Sequence, residues 1–150
     1  MTPVHMVQAR RCLAALSVTI LLTATQTSSA PLGGQFRASC APYDGPAFEI
    51  EIPSRAAGGT FRLSANVALS QARGTWRHDM GARPGSGSIA LCRKTRELTC
   101  SYPTTGSFTV TSRAGGQLRG SLDAVFEQGR RYRFAFTAST SAQNQPQFCG

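Results

Sequence analysis

The C-terminal third of the chain alternates apolar and polar residues with a period of two, and this pattern confines it to β structure. Phe108 and Val110 alternate in GSFTVTS, and Gly115-Gly116 supplies a turn. Leu118, Gly120, Leu122, Ala124 and Phe126 then alternate with Arg119, Ser121, Asp123 and Val125. After a turn at Gln128-Gly129, Tyr132, Phe134, Phe136 and Ala138 share one face. Successive side chains of a strand point to opposite faces, so each run is a half-buried strand, and the three together predict a meander joined by tight glycine turns.

The preceding segment has the same grammar. Phe48, Ile50 and Ile52 alternate with Ala47, Glu49 and Glu51 until Pro53 ends the run. A turn through Ala57-Gly58-Gly59 leads to Phe61, Leu63, Ala65, Val67 and Leu69, all on one face. That register predicts a strand continuing to Leu69. Ser88 to Cys92 reads as another strand, with Leu98 to Tyr102 as its partner. Residues 70–87 have no sustained period and form the longest irregular segment, with room for a short strand over Gly74–Arg77. No helical period occurs after residue 30. The expected fold is all-β, an antiparallel β-sandwich or small barrel with a C-terminal meander.

Residues 1–30 have the order of an export signal: Arg10-Arg11, an apolar run from Cys12 to Ala24, then TQTSSA. A run of thirteen residues is too short to cross a ~30 Å hydrocarbon core as a helix, so a cleaved signal peptide is expected rather than a membrane anchor. The division that follows is a signal peptide at 1–30, a flexible lead-in at 31–39 (PLGGQFRAS) and a single β domain at 40–150. The expected location is secreted or periplasmic, with no transmembrane anchor after cleavage.

Four cysteines lie beyond residue 30: Cys40, Cys92, Cys100 and Cys149. An even number in an exported chain implies two disulfides with three possible connectivities. The expected pairing is nested, Cys92 with Cys100 and Cys40 with Cys149, so that one bridge closes a short segment and the other ties the ends of the domain. Zinc sites use closer cysteine pairs than these, so no metal is expected.

Removing Arg10 and Arg11 from the 16 basic residues leaves 14, against 7 acidic, for a net charge of +7 beyond the leader. Thirteen of the 14 are arginine, mostly scattered, with clusters only at Arg93-Lys94-Arg96 and Arg130-Arg131-Arg133. Such a balance favours anionic partners but does not by itself define a site.

The candidate binding residues are Arg73, Trp76, Arg77 and Arg83 in the irregular segment. There a lone tryptophan between guanidinium groups would stack a sugar or base. Candidate chemistry is sparse. His78 and Asp79 are adjacent, and adjacent residues of an extended chain point apart. No G-x-S-x-G elbow nominates a nucleophile. Glu49 and Glu51 share a strand face about 7 Å apart, a separation that glycosidases use and that any polar strand face also produces. The expectation is therefore a non-catalytic binding or envelope-associated module without a cofactor, whose partner is an anionic polymer or envelope component. Two alternatives are a small hydrolase of envelope polymers using Glu49/Glu51 or His78-Asp79, and a polyanion binder acting through the arginine clusters.

Overall fold

A computed structural model describes residues 30–81, 83–142 and 149. The expected signal peptide lies outside the described residues except for Ala30.

The strongest alternation builds the middle of the sheet. Strand β2 (Pro46–Ser54) pairs antiparallel with β3 (Gly59–Ala65), setting Phe48 against Ala65, Ile50 against Leu63 and Ile52 against Phe61. All six are fully buried. The chain leaves the sheet at Ala65, not at Leu69 as the register predicted. Asn66 is captured by the loop beside it: its backbone N–H donates to the Ser86 carbonyl, and its side-chain amide donates to the Arg83 carbonyl and Ser86 Oγ. Val67 and Leu69 still pack on the core, but from a turn and a short 3₁₀ segment, Leu69–Gln71.

Strand β4 (Gly74–Arg77) crosses the irregular segment, and β5 (Gly87–Lys94) forms a hairpin with β6 (Leu98–Ser101). The meander follows as β7 (Thr105–Ala114), β8 (Gln117–Val125) and β9 (Arg131–Thr140). A 3₁₀ turn, Glu127–Gly129, joins the last two.

The segment expected to be a flexible lead-in is instead strand β1 (Leu32–Cys40), placed between β2 and β9. Of its two glycines, Gly34 serves a close approach, whereas Gly33 faces open space. A Cβ on Gly34 would lie 2.6 Å from the Glu51 carbonyl oxygen, so this strand crossing admits no side chain there. Pairing of β1 with β9 is parallel and every other strand pairing is antiparallel, which makes the sheet mixed. A parallel pair needs a long crossover, and here almost the whole domain supplies it.

The strand order is β4-β7-β8-β9-β1-β2-β3-β5-β6. This one sheet curls into a half-barrel around a single core that includes Phe48, Phe61, Phe108 and Phe136. Where the two ends approach, His78 and Gly87 form an isolated bridge, and the Asp79 N–H donates to the Gly87 carbonyl. The Ile89 N–H adds a bond to His78 Nδ1 there, and among the described residues no further strand pairing joins the two ends.

Both expected disulfides are present. Cys92 and Cys100 face each other across the β5–β6 hairpin, with Cα atoms 4.0 Å apart. Cys40, at the end of β1, is joined to Cys149.

Candidate functional site

Trp76 points inward from β4. It is 7% exposed, stacks on Phe108 at 5.3 Å and meets Phe48 edge-on at 5.3 Å. It therefore presents no face on which a ligand could stack. Arg77, its neighbour on the strand, projects to the opposite side, while Arg73 and Arg83 are exposed. Arg83 is engaged with Asp79, its Nη2 lying 2.6 Å from the carboxylate. The four residues expected to form one platform are not assembled into one. The cause is that a large aromatic ring stabilises a small β core more than it stabilises a wet surface.

The carboxylate candidates are engaged too. On the outer face, Arg37 donates from Nε and Nη2 to Glu49 Oε2 at 3.1 and 2.6 Å, and Arg62 Nη2 lies 2.9 Å from Glu51 Oε1. The bond to Glu49 raises the Arg37 pKa above its ordinary value. Two acids each clamped by a guanidinium have no polarised partner for acid–base work.

His78 and Asp79 do not face one another. His78 Nδ1 accepts the Ile89 N–H at 3.1 Å, and the ring stacks on Tyr102 with centroids 6.1 Å apart. Burial pushes the His78 pKa down, only partly opposed by the Asp79 charge. Asp79 is held below the usual carboxylate range by the Arg83 guanidinium and by the Gly81 N–H. Among the described residues no group of three His, Cys, Asp or Glu is gathered for a metal ion.

A different place collects binding chemistry. Where the seam is open, between β5–β6 and the Glu127–Gly129 turn, lies a cleft of about 180 Å³. Leu91, Phe126 and Tyr132 line its apolar side, and Arg93, Ser101, Tyr102, Glu127, Gln128 and Arg130 line the rest. Tyr132 is fixed edge-on against Phe61 and Phe126 at 5.1 and 5.6 Å. Arg93 is steadied by a bond from Nη2 to the Ala57 carbonyl, whereas Arg130 is exposed. One arginine from each cluster thus reaches the same cleft. The turn itself carries backbone strain: Gln128 has φ of +63°, a left-handed conformation that costs a residue with a side chain about 1 kcal/mol or more. The turn is closed by the Phe126 N–H donating to the Arg130 carbonyl, which brings Glu127 and Gln128 to the rim.

The sequence missed this site because Tyr102 and Tyr132 are isolated in the chain and Tyr132 falls in a core-facing register. The arginine clusters were the only signal, and they did not indicate which members meet.

No family model, curated protein or solved structure matches the chain.

Proposed function

We propose that this is an exported, non-catalytic binding module that grips an anionic polymer of the cell envelope or its surroundings in the seam cleft. The observation that carries the reading is the meeting of Tyr102 and Tyr132 with Arg93 and Arg130 in one concavity. Ligand sites are concave and bring polar groups together beside an apolar surface; this cleft sets Leu91, Phe126 and Tyr132 beside a larger polar lining, which suits a charged, hydroxyl-bearing ligand. Export is supported by the leader pattern at 1–30 and by two disulfides, which persist in oxidising compartments. No helix among the described residues is long and apolar enough to cross a membrane.

The test is retention of the disulfide-bonded protein on heparin–agarose and polygalacturonate–agarose, with neutral agarose as control. Screening removes diffuse charge attraction as ionic strength rises, so a defined site holds to above about 0.3 M salt. The R93A/R130A double variant is expected to elute well before the wild type, with its near-UV circular dichroism unchanged. Co-elution of the two proteins would refute the assignment of the cleft.

A further inference from the structure

We propose that the cleft is one half of a longer track for a carboxylate-bearing polysaccharide, which passes over Tyr102 into a second depression; this rests on the reading of the cleft just given. At about 180 Å³ the cleft is smaller than the ~300–1,000 Å³ of sites that engulf a drug-sized ligand, so it suits one ring of something longer. The second depression, about 460 Å³, lies on the outer side of the sheet and is lined by Arg77, His78, Thr105, Ser107, Asp123 and Arg131.

The two share a wall. Tyr102 lines the first, His78 lines the second, and their rings are stacked with planes 19° apart. Consecutive residues part to either side of it: Phe126 and Arg130 serve the first, Val125 and Arg131 the second. Tyr102 is 46% exposed, with His78 beneath it as a support. A sugar ring can lay its C–H face on such a tyrosine, the same preference for flat apolar contact that pairs aromatic rings.

Charge selects the class of ligand. Arg93 and Arg130 attract anions on one side and Arg77 on the other, where Arg131 is already paired with Asp123. Arginine meets carboxylates in a two-pronged geometry that gives direction as well as energy. Yet Glu127 and Asp123 stand among them, and Gln128, Thr105 and Ser107 add neutral polar groups. Carboxylates at the rim accept hydrogen bonds from hydroxyls and repel a dense row of phosphates. An acidic sugar polymer offers both hydroxyls and spaced carboxylates, and a nucleic acid does not. Arg77, Ser107, Asp123 and Arg133 lie opposite one another on β4, β7, β8 and β9. At ~4.8 Å per strand that row spans roughly 14 Å, which is long for a single ring.

The experiment is calorimetric titration of the disulfide-bonded protein with digalacturonate, hexagalacturonate and a single-stranded DNA oligonucleotide of matching charge. The wild type, R77A, R130A and Y102A are compared, each first shown to unfold at its normal midpoint. Hexagalacturonate is expected to bind at least tenfold tighter than the dimer. R77A should reduce hexamer affinity to near that of the dimer and leave dimer binding unchanged, while R130A and Y102A weaken both. If R77A leaves the hexamer unaffected, the track is wrong and the cleft reading stands. Tighter binding of the DNA overturns the ligand class. If R130A binds both sugars as the wild type does, or neither sugar binds, the cleft reading falls and the track falls with it.

Discussion

Removing the Cys40–Cys149 bridge should destabilise the protein about 1.4 to 2 times as much as removing Cys92–Cys100, although the shorter bridge is the better buried. In the chain-entropy account a disulfide acts by restricting the unfolded ensemble, by about 2.1 + 1.5R ln n cal/mol/K for a loop of n residues. The sequence separations are 109 and 8. They give about 4.8 and 2.5 kcal/mol at 25 °C. Alanine is the right replacement, because Cys92 is only 4% exposed and a serine hydroxyl there would lack a partner. Losing the buried sulfur of Cys92 adds up to ~1 kcal/mol to the shorter case, which still leaves it the smaller effect. A domain of ~110 ordered residues has a total stability of roughly 6–17 kcal/mol, so the long bridge accounts for a large fraction. At about 4 °C per kcal/mol the melting midpoint of C40A/C149A should fall by ~20 °C and that of C92A/C100A by ~10–14 °C. Urea titrations give an independent reading: a more expanded unfolded state should raise the m-value of C40A/C149A. Equal losses, or a larger loss for the short bridge, would show that native-state contacts rather than loop closure set the contribution of these disulfides.

Four other outcomes are expected. Trp76 emission should be blue-shifted and resist acrylamide quenching with or without polygalacturonate, and W76A should cost about 3–5 kcal/mol in urea unfolding; ready quenching would return Trp76 to the surface. Gly120→Ala should cost about 3 kcal/mol, since its Cβ would overlap the Thr109 carbonyl oxygen and press on the Phe136 ring, and a neutral effect would contradict that packing. Gln128→Gly should stabilise the fold by roughly 1 kcal/mol by relieving the left-handed strain while weakening hexagalacturonate binding; improved stability with unchanged binding would make Gln128 irrelevant to the ligand. Hydrogen bonds from Arg131 and then Arg133 hold the Asp123 carboxyl far below its ordinary 3.8. The stability it provides is thus present above pH 3.8 and lost as pH falls below that, and the urea midpoint of D123N should be flatter than the wild type from pH 4 to 2.

The parts of the fold legible in advance are those where one face is buried and the other wet. In β2, β8 and β9 that contrast prints a period of two into the chain. The strand β1 was not legible, because Gly33, Gly34 and Ala38 carry little side-chain contrast and its place depends on close contact with β2 and β9. Nor could alternation reveal that Asn66 would be drawn off by Ser86, since that pairing joins residues 20 apart. The disulfides were legible from parity and spacing alone. The site was least legible. Its residues come from β5, from the end of β6 and from the turn before β9, and only curling of the sheet brings them together. Trp76 misled for a related reason: a tryptophan beside arginines reads alike on either face of a strand, and Phe48 and Phe108 decide which face is inward.

The parallel pairing of β1 with β9 also has a bearing on how the molecule comes into being. The first strand of the described residues lies at the centre of the sheet, and one of its two neighbours is the last of them. Leu32 pairs with Phe136 and Gly33 with Thr137, so about a hundred residues separate the partners. Contacts of that range form slowly, because the intervening chain must be gathered before they repay its entropy. A chain emerging from the ribosome therefore holds an incomplete sheet with an open hydrogen-bonding edge until β9 is free. The central strand gains its second neighbour only when β9 arrives, and the sheet is completed at its middle rather than at its edge.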